Sequence, residues 1–463
     1  MAYNQLRRTE CTFHVRGSAL KIMVFLAMLL ALCAGLPEIT AAGNDNGLVL
    51  DELIRESLSK NPEILVSDAR VTASGHKIPQ ARALPDPMFM FGYQNEGFDR
   101  ITIGEEPNAM GMFSLSQMFP FWGKRDLKGL MAAKDAESLG AAHKAAQLKT
   151  VATVKQLYYE LFLAYKNIDI LKKLAEYFSG IEDAAAARYA SGMGSQQEIV
   201  MAQTEKYMLL EKEEMQKQKI QALAGMLNNT LGRDAATPVG RPVELPSTPY
   251  SLSFEETLQM AKANSPEIRA RRAMAEAAEA RVEMAKKEYY PDPTLGVGYF
   301  PKTRGMLDMW NVTVTVNIPL YFKSKQEQGV LEAEAARLGA KREVAALEYM
   351  LSSGIRDNYS MVRSSEKLMK LYREGVIPKI RQDFQLSLSG YTAGKVEAIT
   401  TISRLKALLD TELLYWAQYA QREKAIATLD AVTGRNASEW GIKDLKPNTQ
   451  VKTGRPPGEV ADE

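Results

Sequence analysis

Few side chains in this sequence could ligate a metal, attack a substrate or relay a proton. Among its 463 residues are two cysteines and three histidines. Cys11, Cys33 and His14 all lie in residues 1–42, which read as a removable export signal. Basic Arg7, Arg8, Arg16 and Lys21 precede the apolar run 22–34, and small residues ending at Ala42 follow it. That run is too short to span a bilayer. Cleavage after Ala42 leaves no thiol, hence no disulfide, no thiolate metal site and no cysteine nucleophile. A lipid anchor on Cys33 is the alternative, although Leu32 stands where a small residue is wanted. His76 and His143 fall in polar helical stretches and read as solvated surface residues. No glycine-rich phosphate loop precedes a helix, and no carboxylate pair converges by spacing. No catalytic, metal-binding or cofactor-binding residue is assigned, no cofactor is expected, and the chain does not read as an enzyme.

Composition narrows the class further. Lys and Arg total 58 against 56 Asp and Glu, a net charge of +2. A nucleic-acid binder would carry a clustered basic excess. A charged fraction of 25% with 46% hydrophobic residues argues for a folded chain. A mean hydropathy of −0.25 with one long apolar run excludes a bundle of transmembrane helices.

The chain is an internal duplication. Asn61-Pro62-Glu63-Ile64 returns as Ser265-Pro266-Glu267-Ile268, Pro85-Asp86-Pro87 as Pro291-Asp292-Pro293, and Gly92-Tyr93 as Gly298-Tyr299. Phe119-Pro120 returns as Ile318-Pro319, Tyr189-Ala190-Ser191-Gly192 as Tyr391-Thr392-Ala393-Gly394, and Gly232-Arg233 as Gly434-Arg435. The order is preserved at a period of about 200 residues. The division is a first repeat over 43–236, a proline-rich linker over 237–250, a second repeat over 251–445 and a polar, disordered tail over 446–463. Each repeat reads helix–strand–strand–helix–helix. The first helix starts at Asn61 or Ser265 as cap, with proline next and glutamate in the first turn, and runs to Leu84 or Tyr290.

Strands are expected at about 87–94, 111–119, 293–300 and 310–318, on their strict alternation. One face collects Phe89, Phe91, Tyr93, Phe113, Leu115, Leu295, Val297, Tyr299, Val312, Val314 and Val316. The other collects Met88, Met90, Ser114, Ser116, Thr294, Thr313 and Thr315, with Met112, Met118 and several glycines. A soluble hairpin on a core is one reading. The other is a transmembrane β-barrel with the first face towards lipid and the second towards the lumen. The small inner residues and the export signal favour the barrel. Thioethers are soft ligands for Cu(I), so Met88, Met90, Met112 and Met118 raise the possibility of a copper site, but a wide barrel would disperse them and pore-wall filling is the preferred reading. Lys124, Arg125, Lys323 and Lys325 follow the strand exits and read as a generic interfacial charge belt.

Beyond the strands, residues 123–188 contain no proline, which allows a helix of about 100 Å. Val154, Tyr158, Leu161, Tyr165 and Ile168 recur at coiled-coil spacing. The second repeat does the same over 323–376, with Ile355, Tyr359 and Val362, and return helices are expected over 196–231 and 396–432. Two hairpins give four strands, which cannot close, and an open edge in lipid leaves backbone groups unpaired. Other copies must complete the barrel, and three give the allowed number of twelve strands.

With these features the sequence resembles the TolC family of outer-membrane efflux factors. The resemblance covers about Leu48 to Gly434 and rests on the duplicated unit, the Asn-Pro-Glu and Ser-Pro-Glu helix starts and the Pro-Asp-Pro motifs before the strands. It rests also on the strand exit Phe-Pro-Phe-Trp-Gly-Lys-Arg at 119–125 and the two Tyr-x-x-Gly turns. It implies a mainly α fold with a membrane β-barrel part: a homotrimeric twelve-stranded barrel on a long α-helical coiled-coil barrel, in the outer membrane of a Gram-negative bacterium with its helices in the periplasm. It implies partners as well, a periplasmic adaptor and an inner-membrane pump of the resistance-nodulation-division class. The strand signature is similar to the heavy-metal branch, so metal cations are one candidate cargo. By position, the resemblance places the periplasmic tip and gate at Tyr189, Gly192, Glu198, Tyr391, Gly394, Thr400 and Ser403. Three Glu198 carboxylates around the axis would repel one another and select cations. Glu198 is equally a plain first-turn acid at a helix start. The competing reading of the whole chain is a secreted coiled-coil scaffold with no channel.

The pleat assignment is directly testable. Val314→Arg puts a charge on the lipid face, at a cost of about 2–4 kcal/mol near the bilayer midplane. Thr315→Arg, one residue on, points into the lumen and should assemble far better when membrane-inserted protein is quantified. Equal defects, or the reverse order, would contradict the assignment.

Overall fold

The computed structural model describes residues 47–443 apart from 104, 303 and 304. The expected export signal with Cys11 and Cys33, and the expected tail over 446–463, lie outside the described residues.

Each repeat opens with a short helix that the repeat landmarks did not predict. Helix α1 (Leu50–Lys60) buries Leu50, Leu53, Ile54 and Ser57, one face at helical spacing. After it, α2 (Pro62–Arg82) starts at the expected cap, where the Asn61 side chain accepts from the Glu63 and Ile64 amides at 2.9 and 3.2 Å. In the second repeat α5 (Phe254–Asn264) begins with a capping box between Ser253 and Glu256, and α6 (Pro266–Lys287) follows. Both α2 and α6 stop short of the expected Leu84 and Tyr290, the residues directly before Pro85 and Pro291, where helical geometry is disfavoured.

Strands β1 (Met88–Gln94), β2 (Met110–Met118), β3 (Pro293–Phe300) and β4 (Met309–Val316) form one antiparallel sheet in the order β1-β2-β3-β4. Sheet formation joins the two repeats through β2 and β3. The register puts Phe89 opposite Leu115, Leu115 opposite Val297, and Val297 opposite Val312. Ser116, Gly296 and Thr313 align on the other face. Alternation read separately in four strands therefore becomes two continuous faces. On the polar face a Cβ at Gly296 would lie 2.7 Å from the Thr313 hydroxyl, so glycine is what lets that side chain lie flat across the sheet. Among the described residues neither outer edge, β1 or β4, has a strand partner.

The helical part is built on α3 (Lys124–Ala190), 67 residues long, with α4 (Gln196–Leu231) returning beside it. Four of the five expected seam residues, Val154, Tyr158, Leu161 and Ile168, are 9% exposed or less, and Tyr165 is partly buried. In the second repeat the helix expected over 323–376 begins as α7 (Gln326–Leu371) but does not stop before Pro378. A π-helical turn over Tyr372–Val376, in which the Ile377 amide bonds back to the Tyr372 carbonyl, accommodates the proline, and the helix resumes as α8 (Ile377–Thr392) before the return helix α9 (Ala398–Thr433). The linker is pinned across the helices. Tyr158 donates to the Val243 carbonyl at 2.7 Å and Tyr419 to that of Leu245 at 2.6 Å. Among the described residues no helix is long and apolar enough to cross a membrane.

Two expected surface residues are interior. His143 is buried in α3, its Nδ1 2.6 Å from the Ser67 hydroxyl, and burial holds its pKa below the ordinary value. The polar sequence around it concealed a face packed on α2. Lys124 is 2% exposed and does not belong to a rim charge belt. Its ammonium donates to both Asp292 oxygens at 2.9 and 3.0 Å and to the Tyr290 carbonyl at 2.9 Å, with Glu288 3.7 Å away. Asp292 also accepts from the Phe121 amide at 2.7 Å, and the Phe121 and Tyr290 rings stack at 4.5 Å. The second Pro-Asp-Pro motif thus ties the start of β3 to the exit of β2. Asp292→Ala strands the Lys124 ammonium and should cost about 3 kcal/mol, whereas Lys124→Met removes the charge and keeps the stem, with a smaller loss. Thermal unfolding in detergent measures both, and equal losses would mean that the buried charge is not what matters.

Candidate functional site: the helix tips and the strand wall

Each long helix ends in a left-handed glycine. Gly192 has φ 74° and Gly394 φ 73°, and the two turns close by matching bonds. The amides of Met193 and Gly194 donate to the Arg188 carbonyl, and those of Lys395 and Val396 to the Gly390 carbonyl. These are glycine-capped helix ends, which fix the direction of the return helix.

The side chains break this internal symmetry. Tyr391 is fully buried, whereas its counterpart Tyr189 is 51% exposed. The Tyr391 hydroxyl donates to Glu198 Oε2 at 2.9 Å. Arg188 lies against both: its Nη1 donates to the Tyr391 carbonyl at 3.0 Å, its Nη2 to the Met193 carbonyl at 3.1 Å, and its Nε stands 3.7 Å from the Glu198 carboxylate. Its guanidinium lies over the Tyr391 ring at 5.0 Å. Burial, and then the accepting Glu198 carboxylate, push the Tyr391 hydroxyl up to about 12, so it remains a donor at neutral pH. Lys406 on α9 adds a bond of 2.9 Å to Glu205 on α4. The tip of one repeat is latched to the tip of the other.

Glu198 therefore sits between a cation and a hydroxyl of its own chain. Thr400, its counterpart, is exposed and does not reach the cluster. Ser403 is exposed and bonds its own helix at the Ile399 carbonyl. Arg188 was missed in the sequence. Its only signal is a basic residue just before the first Tyr-x-x-Gly turn, where the second repeat has Gly390.

On the sheet the apolar face is open: Phe89, Phe91, Val314 and Trp310 are 67–75% exposed. The expected lumen-side residues share the opposite face. There Met88 stands opposite Ser116, Met90 opposite Ser114 and Met112 opposite Gly92, so no methionine faces another across β1 and β2.

A family model described as outer membrane efflux protein matches residues 53–232 and 257–435, one match in each repeat. The chain is 22% identical over 434 residues to the cobalt-zinc-cadmium resistance protein CzcC of Cupriavidus metallidurans, covering 89% of this chain and 99% of that protein. Its fold is similar to that of the outer membrane protein VceC from Vibrio cholerae, with TM-score 0.71 and 18% identity, over 83% of this chain and 96% of that one. It is also similar to the open state of the Neisseria gonorrhoeae MtrE outer membrane channel, with TM-score 0.66 and 15% identity, over 86% and 90% of the two chains.

Proposed function

The chain belongs to the outer membrane efflux protein family and is an exit channel of the Gram-negative outer membrane, and on that premise we propose that three copies close one twelve-stranded barrel whose helices continue as a periplasmic tunnel. The observation that carries this reading is the sheet: one apolar face open to its surroundings, one small and polar face, and two edges without partners. An adaptor in the periplasm and a resistance-nodulation-division pump in the inner membrane deliver the cargo. Likeness to a cobalt-zinc-cadmium resistance protein supports transition-metal cations as that cargo. The channel itself is passive, since diffusion through a wide duct needs no binding site of its own.

The tip is the gate in this reading. A duct held open would dissipate periplasmic contents, so the resting state depends on contacts that keep the helix ends together. The latch of Tyr391, Glu198 and Arg188 supplies them, and Arg188 partly offsets the repulsion that three Glu198 carboxylates would otherwise exert. Opening requires the α8–α9 tip to part from the α3–α4 tip. In planar bilayers, Tyr391→Phe should raise single-channel conductance by removing one charge-assisted hydrogen bond, worth about 1.5–3 kcal/mol. Glu198→Ala should raise it further by releasing Arg188 as well. Thr400→Ala, outside the latch, should leave it unchanged. Conductance unaltered by both Tyr391→Phe and Glu198→Ala would contradict the gate assignment.

A further inference from the structure

The seam between copies is written in the seam within one copy. This inference rests on the trimeric reading and specifies its interface. Inside the chain, the second strand of the first repeat pairs with the first strand of the second: Ser116 stands opposite Gly296 and Leu115 opposite Val297. At the base of that seam Lys124 binds Asp292, and Phe121 stacks on Tyr290. The two hairpins carry the same register, Met88 opposite Ser116 in one and Thr294 opposite Thr315 in the other. That equivalence maps Met88 onto Thr294 and Ser116 onto Thr315 and fixes what each free edge should meet.

The unpartnered groups fit the mapping. Carrying the inner seam across sets Thr315 of β4 opposite Met90 of the next copy's β1, and Val314 opposite Phe91. Polar-face residues meet polar-face residues and apolar meet apolar, so both faces continue without a break. At the base, Asp86 takes the place of Asp292, and Lys323, at the same distance after its strand-exit proline, takes the place of Lys124. Both are exposed, and among the described residues neither side chain makes an ion pair. The Phe121–Tyr290 stack becomes Leu320 against Leu84, which are 74% and 41% exposed in the single chain. One difference tempers the outer base. Arg82 stands where the inner seam has Glu288, so the outer base lacks that second carboxylate, and the Arg82 side chain lies across Gly129 of its own repeat. The second exit is also longer, running from Pro319 to Gln326 before its helix begins, and it carries Lys325 as well.

In a barrel so closed, β4 of each copy meets β1 of the next with Thr315 opposite Met90, and we propose that Lys323 closes the base of this seam on Asp86 of the neighbour. The partner is a second copy of this chain. The match of register, face and charge at two free edges of one sheet carries the assignment, because a foreign partner would have no reason to satisfy all three.

Paired cysteine substitutions test it in protein extracted in mild detergent. Met90→Cys combined with Thr315→Cys should give covalently linked trimers on oxidation, and neither single substitution should. Met90→Cys with Thr313→Cys, on the same face but shifted along the strand, should link much less. More efficient linking by the shifted pair would overturn the register. No linking by either pair in protein that native mass measurement finds trimeric would overturn the seam and leave the trimer standing. A monomeric mass for the unmodified protein would instead remove the trimeric reading. For the base, Asp86→Lys and Lys323→Asp should each lower the yield of trimers resistant to detergent several-fold, and the double exchange should recover most of it. Failure of the double exchange to recover trimers, with the cysteine pair still linking, would overturn the ion pair.

Discussion

An open strand edge cannot sit in hydrocarbon, because each unpaired amide and carbonyl there costs several kcal/mol with no water to satisfy it. This chain presents two such edges, on β1 and β4, at the ends of a sheet whose apolar face is uncovered. The arrangement of the strands follows from resolving that constraint. Duplication supplies two hairpins that pair with each other through β2 and β3. The same pairing rule, applied outward, uses up the remaining edges only when the ring closes.

The helices answer a different demand. A 67-residue helix spans too far to be held by one small core, and its buried residues are distributed along the length from Lys124 to Ala185. One cluster gathers α1, α3, α4 and α9 around Tyr158 and Phe162, and another gathers α3, α4, α8 and α9 around Phe178 and Phe384. The linker is pinned across this midsection by the Tyr158 and Tyr419 hydroxyls. Near-symmetry of the repeats gives a regular scaffold. Its deliberate failure at the tips, Arg188 against Gly390 and Glu198 against Thr400, gives an asymmetric latch that a symmetric ring of turns could not provide.

Much of this was legible in residues alone, for identifiable reasons. Period-two alternation such as Trp310 to Val316 leaves one choice of faces, and the register joined all four strands as that alternation requires. Tyr-x-x-Gly turns and Asn-Pro-Glu starts are local signals whose geometry is set by neighbours in sequence. What escaped reading depended on contacts distant in sequence. Lys124 looks like a rim charge until Asp292, far along the chain, is brought to it. His143 looks solvated because the helix covering it belongs to another segment. The helix beyond Pro378 was lost because proline usually ends a helix, whereas here a π turn accommodates it. The extra helix α5 could have been found, since Ser253 and Glu256 carry a capping-box spacing.

The central claim is that the four-stranded sheet is one third of a closed wall with its aromatic and valine face outward. A structure of the protein embedded in a lipid nanodisc tests this most directly. The account predicts a threefold axis, twelve continuous strands, and Phe91 and Val314 against lipid with Thr313 and Thr315 lining the pore. A single chain with β1 and β4 unpaired, or a barrel with Thr313 and Thr315 facing lipid, would contradict it.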